Sequence, residues 1–125
     1  MKKVIIDSSF ILTCVKQKID FFKWLEERGI QILIPKQVID EIKNIENSKK
    51  KLHFKNDAEL SLFIIEKNKK NFKEIDLKWK NVDNALVKFA EKNKEIIIAT
   101  LDREIKSKIK NKKLLIKGKK MLEIE

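Results

Sequence analysis

The sequence predicts a three-layer α/β/α sandwich with a mostly parallel central sheet of about five strands, on three observations. Short aliphatic runs (Val4-Ile5-Ile6, 30–34, 96–99, 114–116) recur along the chain, each bounded by polar residues. Patterns with apolar residues three and four apart, as helices have, fill the intervals between them. The runs also lack the polar–apolar alternation of a half-solvated sheet, which is how strands covered on both faces read. Strands alternating with helices make a parallel sheet with helices on both faces. A chain of 125 residues suits one domain, taken as 1–125.

The elements follow in order. Val4-Ile5-Ile6 ends at Asp7, and Ser8 or Ser9 can cap the helix expected from about Phe10 to Lys16. Asp20 caps a second helix through Trp24 and Leu25, which Gly29 ends in a left-handed cap. Residues 30–34 are the second strand, stopped by Pro35, and Val38, Ile39, Ile42 and Ile45 mark the helix beyond. The stretch from Asn47 to Lys55 reads as an exposed, lysine-rich connection. Ala58 to Lys67 then repeats the helical pattern, and Phe72 to Leu77 is a short third strand. Val82 to Lys92 is a helix with Ala85, Leu86, Phe89 and Ala90 on its buried face, leading into the fourth strand at 96–99. Asp102 to Lys110 is helical, Leu114 to Ile116 is the fifth strand, and Met121 to Glu125 adds an edge strand or trails.

Composition narrows the class. A charged fraction of 39% around an ordinary 42% of hydrophobic residues describes a folded core in a charged shell rather than disorder. The single cysteine, Cys14, has no partner for an internal disulfide, and it reads as a small buried hydrophobe. No run of about 18 apolar residues is present, and Asp7 interrupts any signal-peptide core, so a cytoplasmic protein with no membrane partner is expected. The net charge of +11 favours polyanions. All its cations but Arg28 and Arg103 are lysines, however, a bias that genome composition or growth temperature also produces.

In a parallel sheet the functional crevice lies at the carboxyl ends of the strands. Asp7 directly follows strand 1 and Asp102 lies just beyond strand 4. Glu41, in the first two turns of the helix after strand 2, and Asp83, opening the helix before strand 4, can project over the same edge. Carboxylates converging there repel one another unless cations neutralise them. Oxygen-only ligation without histidine selects hard ions, Mg²⁺ or Mn²⁺. Such ions activate water and stabilise charge on a phosphodiester, with lysines around the pocket holding the substrate.

The stretches VIIDSSFIL, IPKQVIDEI, VDNALVKFA and IIIATLDREI, in this order and spacing, resemble the four signature segments of PIN-domain ribonucleases, over residues 4 to about 116. The resemblance implies that Asp7, Glu41, Asp83 and Asp102 are the four catalytic acids and metal ligands of an endoribonuclease. It makes Ser8, Ser9 and Thr100 their hydrogen-bonding supports, while Arg103 contacts phosphate. Many relatives carry a further acid beside the third. Asn84 stands there in this chain, which implies one tightly held ion and a second that arrives with substrate. IDSSFILTCVKQKIDFFKWLE with ILIPKQVIDEI, and the closing KGKKMLEIE, are similar to the archaeal and eukaryotic branch linked to ribosomal-RNA processing, with VapC toxins more distant. The implied partners are an RNA substrate, with a ribosome-assembly protein or an antitoxin beside it, and relatives often form homodimers.

Each acid alone also suits a bland role. Asp7 and Asp102 can be helix caps, Asp83 sits where the helix dipole favours a negative charge, and Glu41 can be an ordinary solvated residue. Their joint placement is what favours a site. Asp40 points about 100° away from Glu41 and is left out. Asp20, Asp57 and Asp76 read as caps or loop acids, and His53 as a surface residue. Trp24 and Trp79 read as packing or partner-facing rather than base-stacking. The rival readings are an antitoxin-controlled toxin nuclease, a non-catalytic RNA-binding assembly module and a receiver-like domain, which lacks its late-strand Lys-Pro pair here. No Gly-rich phosphate loop is present.

Overall fold

Val4, Ile5 and Ile6 are all fully buried, so the first strand is covered on both faces, as its unbroken apolar run requires. The structure, a computed structural model, describes residues 1–48, 51–79 and 81–125. Its order is β1 (Lys3–Ile6), α1 (Ser8–Lys16), α2 (Phe21–Glu27), β2 (Gln31–Pro35), α3 (Lys36–Glu46), α4 (Leu52–Lys67), β3 (Phe72–Ile75), α5 (Val82–Lys92), β4 (Ile97–Ala99), α6 (Arg103–Lys108), β5 (Leu114–Lys117) and β6 (Met121–Ile124). A single 3₁₀ turn, Lys69–Asn71, leads into β3.

The strands β3-β2-β1-β4 form a four-stranded parallel sheet. Val4 pairs with Ile32 on one side and Ile97 on the other, and Ile6 pairs with Ala99. The chain steps outward from β1 to β2 to β3 and then returns across the sheet to β4. Right-handed crossovers therefore place α1–α4 on one face and α5 on the other. The packing agrees, with α4 against α1 and α3, and α5 against α6. The reversal between β1 and β4 makes the switch point at which such sheets open a crevice.

The sandwich and its parallel sheet are as the sequence indicates, with one correction at the edge. The fifth strand is not a full member of the sheet. β5 touches β4 through one parallel bridge, Ile98 to Lys113, and a bond from the Ile98 N–H to the Lys112 carbonyl of 2.9 Å. It then turns at Gly118, whose φ is +60°, to pair antiparallel with β6, so residues 121–124 are a strand rather than a tail.

Helix bounds differ for local reasons. α1 begins at Ser8 because Asp7, in extended conformation, is its cap and accepts from the Ser8 N–H at 2.8 Å. Asp20 caps α2 through the Lys23 N–H, and Gly29 follows that helix at φ +65°, both as expected. α4 starts six residues before Ala58, because its first turns expose Leu52 and Phe54 and so carry no buried-face pattern. Lys49 and Lys50, within the connection expected from Asn47 to Lys55, lie outside the described residues, as does Lys80.

Asn111 locks the approach to β4. It is buried, and its Nδ2 donates to the carbonyls of Asn93 and Ile96, each at 2.9 Å. Asn111→Ala leaves both carbonyls without this donor, at a cost of about 1–3 kcal/mol. A lower urea midpoint with an unchanged slope is the expected result of chemical denaturation.

Candidate active site

Because β1 and β4 are parallel neighbours, Asp7 and Thr100 emerge side by side at the carboxyl edge. The Asp7 N–H extends the pairing to the Ala99 carbonyl at 2.9 Å. Asp7 is only 4% exposed and Thr100 1%, so a carboxylate is fixed almost out of water. Its oxygens are divided among local donors. Oδ1 accepts from the Ser8 N–H at 2.8 Å, and Oδ2 from the Thr100 hydroxyl at 2.8 Å and the Ser9 hydroxyl at 3.3 Å. Burial raises the Asp7 pKa above the usual carboxylate range, and the charge of Asp83 adds to this against the opposing hydrogen bonds.

The same hydroxyls reach the segment carrying Asp102. Ser9 Oγ accepts from the Leu101 N–H at 3.1 Å, and Thr100 Oγ1 from the Asp102 N–H at 3.1 Å. Asp102 caps α6, its Oδ1 accepting from the N–H groups of Glu104 and Ile105. Glu41, on α3, is half-buried and takes a 2.8 Å hydrogen bond from the Ser8 hydroxyl. Burial raises its pKa, and the charges of Asp7 and Asp83 raise it further, while Ser8 opposes the shift. Asp83, in the first turn of α5, lies at this edge because helices that cross between parallel strands start there. It is exposed, and its pKa is raised by partial desolvation, then by Asp102 and Glu104, with Lys108 acting against them.

Asp83 is thus the shared neighbour. Its charge is felt by Asp7 and Glu41, and it feels that of Asp102. Asp83 and Asp102 line a cleft of about 200 Å³ with Asn81, Asn84, Glu104 and Lys108. Among the described residues, no group of three or more Asp, Glu, His or Cys side chains is closed around a point that could hold a metal ion. The donor set nevertheless fits a hard cation. It is oxygen-only, drawn from four separate elements, and its mutual repulsion is what such an ion relieves.

The bland roles are real and coexist with this grouping, since Asp7 and Asp102 are helix caps. The serines serve different acids, Ser8 reaching Glu41 and Ser9 reaching Asp7. Asn84 lines the cleft beside Asp83, and Arg103 is exposed at the start of α6. Glu104, an acid the sequence reading did not single out, adds to the field on Asp83 and pairs with Lys108 at 3.2 Å. Its position two residues after Asp102 was the available signal. Cys14 is buried with its pKa pushed up to about 12, an inert thiol.

A sequence profile described as a PIN like domain matches residues 4–117. The chain belongs to the PIN-like domain family. This PIN-like domain is 27% identical over 128 residues to "Ribonuclease VapC4" of Methanocaldococcus jannaschii, covering 99% of this chain and 97% of that protein. Its fold is that of the PIN domain endonuclease Utp24, with a TM-score of 0.77 at 23% identity, over 98% of this chain and 90% of the other. No helix among the described residues is long and apolar enough to cross a membrane.

The raised carboxyls give the PIN-like domain a pH signature without metal. A carboxyl whose folded pKa lies above its unfolded value contributes stability below the unfolded pKa, about pH 4, and loses it as pH rises through the folded one. As pH rises above about 4, metal-free wild type therefore loses stability relative to Asp83→Asn, which removes the shared repulsion. Mg²⁺ or Mn²⁺ raises the wild-type Tm at pH 7 but not at pH 4, and raises that of Asp83→Asn less. Calorimetric melts of both proteins across pH check this.

Proposed function

We propose that the chain is a divalent-metal-dependent endoribonuclease, hydrolysing phosphodiester bonds in ribosomal or other structured RNA, with Asp7, Glu41, Asp83 and Asp102 as metal ligands. The observation that carries this is a set of four acids from four elements, coupled through Asp83 at the carboxyl edge, in a chain of net charge +11. Folding alone gains nothing from such repulsion, and sites that store it are commonly functional. The names of both relatives, a ribonuclease and an endonuclease, support the same reading.

Bound Mg²⁺ or Mn²⁺ supplies an activated water and offsets the charge that grows on the phosphate. The chain's own residues do the rest. Thr100 and Ser9 hold Asp7 in one orientation, and Ser8 holds Glu41, so two acids are preorganised before substrate arrives. Asp83, the exposed acid of the coupled set, faces incoming RNA, with Asn84 beside it in place of a further ligand. The four acids would hold one ion tightly, and with Asn84 in that place a second would be held only alongside substrate. Lys108 and Arg103, at the rim, contact phosphates.

A toxin-like reading, in which an antitoxin silences the nuclease, is favoured by the end-to-end similarity to VapC4. An apolar cleft of about 570 Å³ between α2 and α4, lined by Ile19, Phe22, Leu60 and Phe63 among others, is a surface that a bound peptide would cover.

The deciding experiment incubates purified protein with pooled structured and single-stranded RNA in Mg²⁺, Mn²⁺ or chelator. Wild type cuts only with metal. Thr100→Val, which removes a support of Asp7, slows cutting by about 10- to 100-fold, and Asp83→Asn slows it by more. RNA retention by all three proteins with no cutting under any metal contradicts the nuclease and leaves a binding module.

A further inference from the structure

An open groove of about 430 Å³ runs between the first turns of α3 and the residues that follow β3, Asp76 to Trp79. Glu41, one of the four acids, stands on its wall, and Trp79 lines it with Lys36 and Lys78. Trp79 is 47% exposed, an unusual setting for a side chain whose large apolar surface normally drives it inward.

Three separate devices hold the segment and its indole in place. The Asp76 carboxylate accepts from Gln37 Nε2 at 2.6 Å and from the Lys78 N–H at 2.8 Å, while the Leu77 N–H donates to Gln37 Oε1 at 3.1 Å. Gln37 thus clamps the segment to α3. Lys78 adopts φ +61°, a left-handed conformation that residues with a side chain seldom take. Finally, the Lys88 ammonium lies 3.4 Å from the centroid of the indole. An ammonium so placed lies over one face of the ring and leaves the opposite face uncovered by it.

The result is an aromatic surface, half in water, in a groove that two lysines and one of the acids also line. Charge alone does not explain the groove, because Asp40 and Asp76 line it too. Asp76 is engaged by Gln37 and the Lys78 N–H, which hold its carboxyl below the usual range. What the groove offers beyond weak electrostatics is the face of an indole. An unpaired base can stack on such a face, whereas a base inside a duplex is already stacked on its neighbours. A surface held in position before binding loses little freedom when it is used.

We propose that this groove seats an unpaired nucleotide of the RNA substrate, its base stacked on Trp79 next to the bond presented to the acids. The proposal rests on the nuclease reading above and adds to it a residue, Trp79, that holds a base beside Glu41.

The test uses a Trp24→Phe background, which leaves Trp79 as the one tryptophan. Its fluorescence is followed in chelator while a mixed-sequence single-stranded RNA oligonucleotide, or the same sequence as a duplex, is added. Cleavage of the single strand in Mn²⁺ is then compared for wild type, Trp79→Ala and Trp79→Phe. Quenching by the single strand but not the duplex is expected. A KM raised about tenfold or more by Trp79→Ala is expected with it, kcat being little changed and Phe restoring most of the loss. Cleavage with no quenching and an unchanged KM in Trp79→Ala overturns the stacking site while leaving the nuclease standing. Quenching by the single strand with no cleavage in any metal keeps the groove as an RNA site and removes the nuclease. Absence of both removes the two together.

Discussion

The Asp7 carboxylate sits almost out of water at the end of the central strand, and the arrangement of the carboxyl edge depends on how it is satisfied. Its partners come from β1's own continuation, Ser8 and Ser9, and from Thr100 at the end of β4. That makes the β1–β4 pairing more than a sheet contact. A slip of one residue would turn Thr100 away from Asp7 and leave a buried charge with one local donor fewer. The two hydroxyls also take the N–H groups of Leu101 and Asp102, so one hydrogen-bond network fixes the first acid, the last acid and the start of α6.

Around this network the structure accumulates like charge. Glu41 and Asp83 reach the same edge from the two faces of the sheet, and burial and repulsion raise the pKa of three acids. The chain is otherwise heavily basic, and among the described residues Lys108 opposes the field on Asp83. An edge that stores repulsion in this way is poised for a cation, and through it for an anionic substrate.

Most of this edge was legible in the sequence, and the reasons are physical. Val4-Ile5-Ile6, the 96–99 run and the helix Val82–Lys92 are governed by burial on known periods, and the strand-end rule then locates Asp7 and Asp102. Glu41 and Asp83 needed the crossover geometry as well, since each alone reads as an ordinary helix residue. Less legible were features set by tertiary packing. β5 leaves the sheet after a single bridge, and nothing in Leu114–Ile116 distinguishes an edge hairpin from a fifth parallel strand. The early turns of α4 show no buried face, so they read as a connection. Gln37 and Asp76 are ordinary polar residues in sequence, 39 positions apart, and only the fold makes them the clamp that sets Trp79 in place.

The measurement that bears most directly on the acid centre is anomalous diffraction from crystals grown with Mn²⁺. The account expects one strong manganese peak bonded to Asp7, with Glu41, Asp83 and Asp102 around it directly or through water. A Mn²⁺-saturated crystal with no peak at that edge, or with its peak elsewhere while the four carboxylates point apart, would contradict it.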